Sequence, residues 1–421
     1  MNLIIREARI IDLASSFHNK IVDISVQNGK LDVIGTNLKV GDDFTEIKFE
    51  NLHVSVGWFD SSVCFGEPGF EDRETICNGI NVAARSGFTD VVLQPNTLPV
   101  IDNQSQVKFV KSKFENSAVN VHPVGALTKN SDGKDLAELF DMQNAGATAF
   151  GDYKKDIENS NLLKIALQYA KDFNGLIVAY SQDKELSKNG VANEGIVATG
   201  LGLKGISSLS ESLQIARNIS LLEYTGGRLH IPTISCTKSV ELIKEAKNKG
   251  LQVTCSAAVH NLIFTDSVLD EFDTRFKVMP PLRTEEDRQS LLDGILDGII
   301  DMITSDHNPI DIEHKKMEFD FALPGTIGLE SAFGALLNVL PLEVIISKLT
   351  AGRIVFGSQI YPIEEGSQAC FTLFNPSEQF EFTGDKILSK SKNSAFIGST
   401  MKGKVYGILN NNKLILNTND R

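Results

Sequence analysis

Between residues 53 and 355 short apolar runs alternate with helical stretches, and this alternation most narrows the possible fold. The runs include TDVVLQP, NVHPVGAL, GLIVAY, RLHIPTIS, QVTCSAAV and DMITSD. Among them lie ETICNGINVAARSG, NLLKIALQYAKDF, LSESLQIARNISLLEYTG and SVELIKEAKNKG, which carry apolar residues at helical spacing and in several cases end on glycine. Strand and helix repeated this often require a parallel sheet. Polar or small residues at the strand ends, over about 300 residues, predict an α/β fold of the (β/α)8, TIM-type barrel kind rather than an open sheet. The two ends of the chain read differently. LIIREARII, KIVDISVQ and LDVIGTNL at the start, and ACFTLFNP, KVYGILNNN and KLILNT at the end, are strand-like runs separated by turn residues such as Asn28-Gly29.

Composition removes several classes of function. A net charge of −13 argues against a surface built for nucleic acid or for anionic membranes. No run reaches the roughly 18 apolar residues of a membrane span. The N-terminus MNLIIREARIID has charges within its apolar stretch and no small-residue cleavage site, so it is not read as a signal peptide. Cys64, Cys77, Cys236, Cys255 and Cys370 are scattered and odd in number, which suits a reducing compartment. A cytoplasmic location is expected.

Residues 57–70 read Gly-Trp-Phe-Asp-Ser-Ser-Val-Cys-Phe-Gly-Glu-Pro-Gly-Phe. This frame resembles the dihydroorotases of the amidohydrolase superfamily, whose first barrel strand ends with Asp-x-His-x-His followed by Arg-Glu-Pro-Gly. GFTDVVLQPNTLPVIDN, VANEG, FKVMPPLRTEEDR, SDHNP, GTIGLES and SKSKNSAFIGSTMKGKV follow in the family's order, so the resemblance spans nearly the whole chain. It implies three segments: a barrel over 53–355, and terminal β segments 1–52 and 356–421 that join into a small composite β-sandwich.

The resemblance also implies where metal ligands should stand. Asp60 and Glu67-Pro68-Gly69 are kept, but the two histidine positions of the first strand hold Ser62 and Cys64. Residues two apart on a strand point the same way, so His-x-His aims two imidazoles at one ion. A serine hydroxyl and a single thiol do not replace that pair. The bridging acid of the family (or its carbamylated lysine) falls within Ala149-Phe150-Gly151-Asp152-Tyr153-Lys154, with Asp152 or Tyr153 at the bridging position. The next two histidine positions hold Ser181 and Thr233, and Asp306 alone survives cleanly, at the family's general-base position. Of the groups that hold substrate, the arginine position is Gly66, an asparagine position is Met279 and a histidine position is Ile310, while Asn96 remains. His230, His260 and His307 match positions that are not histidine ligands, so packing or hydrogen bonding is their expected role. Cys64 invites a catalytic reading, but no local motif places a histidine beside it.

The family uses zinc, and the degenerate set Ser62, Cys64, Asp152, Ser181, Thr233 and Asp306 predicts none here, with Asp306 and Asn96 left as vestiges of the catalytic and substrate-binding groups. The expectation is a non-catalytic member of pyrimidine biosynthesis, a homo-oligomer that acts as scaffold or partner of aspartate carbamoyltransferase. The alternative is an active cyclic amidohydrolase that converts dihydroorotate to N-carbamoyl-aspartate, or a hydrolase of altered chemistry.

Overall fold

The structure, a computed structural model, describes residues 1–417. Five strands open the chain: β1 (Asn2–Ile11), β2 (Ile21–Gln27), β3 (Lys30–Gly35), β4 (Thr45–Ile47) and β5 (His53–Val56). The central region supplies β6 (Trp58–Val63), β7 (Phe88–Leu93), β8 (Asn120–Gly125), β9 (Ala149–Phe150), β10 (Leu176–Val178), the short pair β11 (Ala192–Asn193) and β12 (Gly205–Ile206), then β13 (Arg228–Ile231), β14 (Val253–Ala258) and β15 (Met302–Thr304). The chain closes with β16 (Phe371–Glu381), β17 (Thr400–Asn410) and β18 (Lys413–Leu416).

Strands β6 to β10 and β13 to β15 form one eight-stranded parallel sheet in the order β15-β14-β13-β10-β9-β8-β7-β6. The sheet curls until its two end strands meet, where the Cys64 amide donates to the His307 carbonyl at 2.8 Å. This is the expected barrel. Its interior is filled by Phe59, Val92, Val124, Ala149, Leu176 and Met302, one from each of six strands, capped by Phe356. Helices pack around it and start where the sequence offers oxygen caps. Thr75, Asn103, Asn159, Ser207 and Thr284 each accept a bond from an amide of the first turn.

The terminal strands meet in a second eight-stranded sheet, ordered β18-β17-β16-β5-β1-β2-β3 with β4 beside β1. The join is β5 against β16, antiparallel, with Val56 opposite Phe371 and His53 opposite Phe374. The two terminal segments thus join, as the resemblance implies, through one continuous hydrogen-bonded sheet. Register shifts between Ile5 and Ala8 in β1, and between Asn375 and Gln379 in β16, mark bulges that bend it. Because β5 belongs to this sheet, the chain passes into the barrel at Gly57, beyond the division drawn at 52/53. At Gly57 a side chain is excluded, since a Cβ would lie 2.3 Å from the Thr89 hydroxyl. Residues 418–421 of the expected C-terminal segment lie outside the described residues. Among the described residues no helix is long and apolar enough to cross a membrane.

Candidate functional site

The C-terminal ends of the barrel strands converge on Asp306, two residues past β15 and 1% exposed. Its carboxylate has three neighbours from other strand ends. Lys154, from the loop after β9, places its ammonium 2.7 Å from Oδ2. Ser62 of β6 donates its hydroxyl to Oδ1 at 3.2 Å, and the Tyr153 hydroxyl lies 3.5 Å from the same oxygen. Burial pushes the Asp306 carboxyl above its ordinary range, and the charge of Lys154 opposes that rise. Tyr153 is driven well above its ordinary value, first by burial and then by the Asp306 charge. Phenol, hydroxyl and carboxylate therefore form a compact polar knot around one lysine.

The surrounding groups are muted. Burial pushes the Cys64 thiol up to about 12, so it stays protonated at neutral pH and is not a ready nucleophile. Thr233 lines a small cavity together with Ser62, Tyr153, Lys154 and Asp306. Asp152 also lines it, but its carboxylate accepts from the amide and hydroxyl of Thr128 rather than facing Asp306. Ser181 turns outward, accepting from Asn218 at 3.2 Å. Asn96 is half-buried, with its side-chain oxygen unbonded. Of the inferred positions, then, Ser62, Asp152, Thr233 and Asp306 share one cavity, with Cys64 beside Tyr153, and Ser181 stands apart.

The three buried histidines differ in their partners. His230 bonds Thr254 through Nδ1 at 3.0 Å and lines the cavity. His307 accepts at Nδ1 from the Gly328 amide at 3.3 Å, while its Nε2 has no partner. Neither ring nitrogen of His260 has one. Burial lowers each of the three to about 3, so all are neutral at physiological pH.

Sequence reasoning passed over Lys154. It closes the run Ala149–Lys154, but nothing local connects it to a carboxylate 152 residues away. The available signal was chemical: with four imidazole positions lost, a buried Asp306 needs a cation, and Lys154 is the basic residue next to the bridging position. Lys154, Thr233 and Asp306 also share a backbone feature, φ of 50°, 49° and 47°, the left-handed region that residues with a Cβ seldom adopt. Such conformations cluster at functional strand ends.

The family model described as "Dihydro-orotase-like" matches residues 53–239. A dihydroorotase of Pelotomaculum thermopropionicum is 37% identical over 99% of this chain and 99% of its own. A dihydroorotase of a Thermoanaerobacter species is 38% identical over 96% and 95%. The chain belongs to the dihydroorotase family. Among solved structures, the L-hydantoinase of Arthrobacter aurescens superposes with a TM-score of 0.85 at 22% identity over 99% of this chain and 96% of its own, and a D-hydantoinase of a Thermus species with 0.83 at 19% over 98% and 95%. These likenesses bear on the fold, which is the amidohydrolase barrel.

The zinc that dihydroorotases use does not fit the residues present. The positions of its imidazoles carry two hydroxyls facing the cavity (Ser62, Thr233), a hydroxyl turned away (Ser181) and a single buried thiol (Cys64). Among the described residues no three of His, Cys, Asp and Glu converge on one point. A divalent ion at Asp306 would also have to displace an ammonium already held there.

Proposed function

We propose that this dihydroorotase-family protein has left hydrolysis and serves pyrimidine biosynthesis as a cytoplasmic, homo-oligomeric scaffold for aspartate carbamoyltransferase. The observation that carries the non-catalytic half is the Lys154–Asp306 pair. Dihydroorotate hydrolysis needs ions to polarise a carbonyl and generate hydroxide near neutral pH. Here the general-base position is neutralised by a lysine whose ammonium lies 2.7 Å away. The scaffold half rests on retention: barrel and terminal sheet are kept in full, and binding a partner needs fold and surface but no metal.

The test has two arms. Protein purified without chelator is assayed for zinc and for turnover of dihydroorotate and N-carbamoyl-aspartate, with and without added zinc. Neither zinc near two ions per chain nor turnover above a no-enzyme control is expected, and turnover abolished by Asp306→Ala sinks the non-catalytic reading. Co-expression with the transferase of the same organism, followed by size-exclusion chromatography with light scattering, should give a joint peak. Independent elution at micromolar concentration ends the scaffold reading. A second reading, an active cyclic amidohydrolase, draws support from whole-chain identity to dihydroorotases and from the survival of Asp306.

A further inference from the structure

A cavity of 640 Å³ opens between the loop that follows Asp306, the loop carrying Thr274 and Arg275, and the segment Lys390–Asn393. It shares no lining residue with the cavity at Asp306. Five cations line it: Arg275, Lys315, Lys316, Lys390 and Lys392. Arg275 is engaged by Asp273. Among the described residues the four lysines form no ion pair. Lys315 donates to the carbonyls of Thr274 and Lys277 at 2.7 and 3.1 Å, Lys390 to that of Glu71 at 2.6 Å and Lys392 to that of Ile387 at 2.5 Å. The carboxylates of Glu71 and Glu330 feel Lys390 and Lys392 only from beyond ion-pair distance.

The acids in the lining do not balance this charge. Asp311 is held by Arg73 at 3.1 Å and His314 at 2.6 Å, which leaves Asp72 and Glu313 at the rim. Four lysines against two acids leave a positive surplus, to which Lys315 contributes only in part at neutral pH, in a chain whose net charge is −13. At the floor Lys315 is 5% exposed. An ammonium has three donors, and its two carbonyl partners leave one for a ligand. Burial, and then the charge of Lys277, lower Lys315 to about 7, so an anion placed here would relieve an unfavourable charge.

We propose that this cavity binds a small dianion bearing phosphate or carboxylate oxygens. The volume lies within the range of about 300–1,000 Å³ usual for small-molecule sites. The surplus favours an anion of more than one charge, whose own charge completes it by holding Lys315 protonated. The lysines recognise oxyanions as mobile point charges rather than as a fixed fork. The proposal is independent of whether the barrel site is catalytic.

Calorimetry on the intact protein with inorganic phosphate and, separately, with succinate tests it. At least one should bind with one site per chain. Phosphate alone points to a phosphorylated ligand, succinate alone to a dicarboxylate, and both to oxyanion recognition without further selection. Lys390→Met with Lys392→Met, both exposed, should weaken binding at least tenfold with circular dichroism and melting unchanged. As a control, Lys134→Met with Lys184→Met removes two lysines paired with Asp132 and Glu158 elsewhere on the surface, and should change the affinity less than twofold. The proposal is overturned if neither probe binds at millimolar concentration, if the Lys390/Lys392 variant binds as well as the parent, or if the control pair weakens binding equally.

Discussion

Lys154 and Asp306 set the character of the barrel mouth, and their pairing is measurable. The side chains are 13% and 2% exposed, so removing either leaves a poorly solvated charge, a change that in buried pairs costs about 3–5 kcal/mol. Lys154→Met and Asp306→Asn should each destabilise the protein on that order in urea unfolding, and the double variant should lose much less than the sum. Additive losses would show that the pair is not coupled. The same geometry predicts that Ser62→His with Cys64→His fails to restore hydrolysis, because the ammonium stays on Asp306 and Ser181, Thr233 and Gly66 are unchanged. Turnover by that double variant in the presence of zinc would contradict this. Much of the site was legible in the sequence because loss of ligands is read position by position. What filled the gap was not, since a lysine's reach depends on which strand ends the barrel brings together.

At the scale of elements, a buried carboxylate bridges the seam between β6 and β15 beside the Cys64–His307 backbone bond. Asp60, fully buried, accepts from the Thr304 hydroxyl at 2.6 Å, the Ser305 amide at 2.8 Å and the Ser62 amide at 2.9 Å. Burial raises its pKa against these donors. Asp60 thus remains from the family's first-strand motif with a structural task of its own, closing the barrel. Asp60→Ala strands two buried amides and a hydroxyl, each worth about 1–3 kcal/mol when left unsatisfied. A loss of at least about 3 kcal/mol is expected, with faster amide exchange at residues 302–305, and a loss below about 1 kcal/mol would show that the seam closes without it. The elements themselves were largely readable. Strands covered on both faces appear as unbroken apolar runs, as LIV does for β10. Strand β9 escaped, being only Ala149-Phe150, too short for any periodicity. The β5–β16 pairing joins segments whose contact no local pattern encodes, so only the family resemblance pointed to it.

Over the whole molecule, the buried histidines make stability depend on pH. His230, His260 and His307 are lowered from 6.5 to about 3, so the unfolded chain takes up protons that the native state refuses. A group with a depressed native pKa contributes stability above its unfolded value and loses it as pH falls toward the native one. Asp156 acts in the opposite sense: burial, opposed by Arg217, raises it from 3.8 to about 6, so below that pH the native state gains a proton first. Lys315, lowered from 10.5 to about 7, acts with the histidines, because the unfolded chain already holds its proton at neutral pH, and most of its loss lies above pH 7. Three protons lost against one gained leave the histidines dominant. Between pH 7 and 5.5 the unfolding free energy should drop by roughly 3 kcal/mol, a large share of the about 5–15 kcal/mol typical of a native protein. Urea unfolding at half-unit pH steps measures the slope directly. Replacing His260, whose ring nitrogens bond nothing, by Phe should remove roughly 1 kcal/mol of this pH dependence while leaving the fold intact. A flat profile down to pH 5, or a His260→Phe variant with an unchanged slope, would show that these imidazoles take up protons within the native barrel.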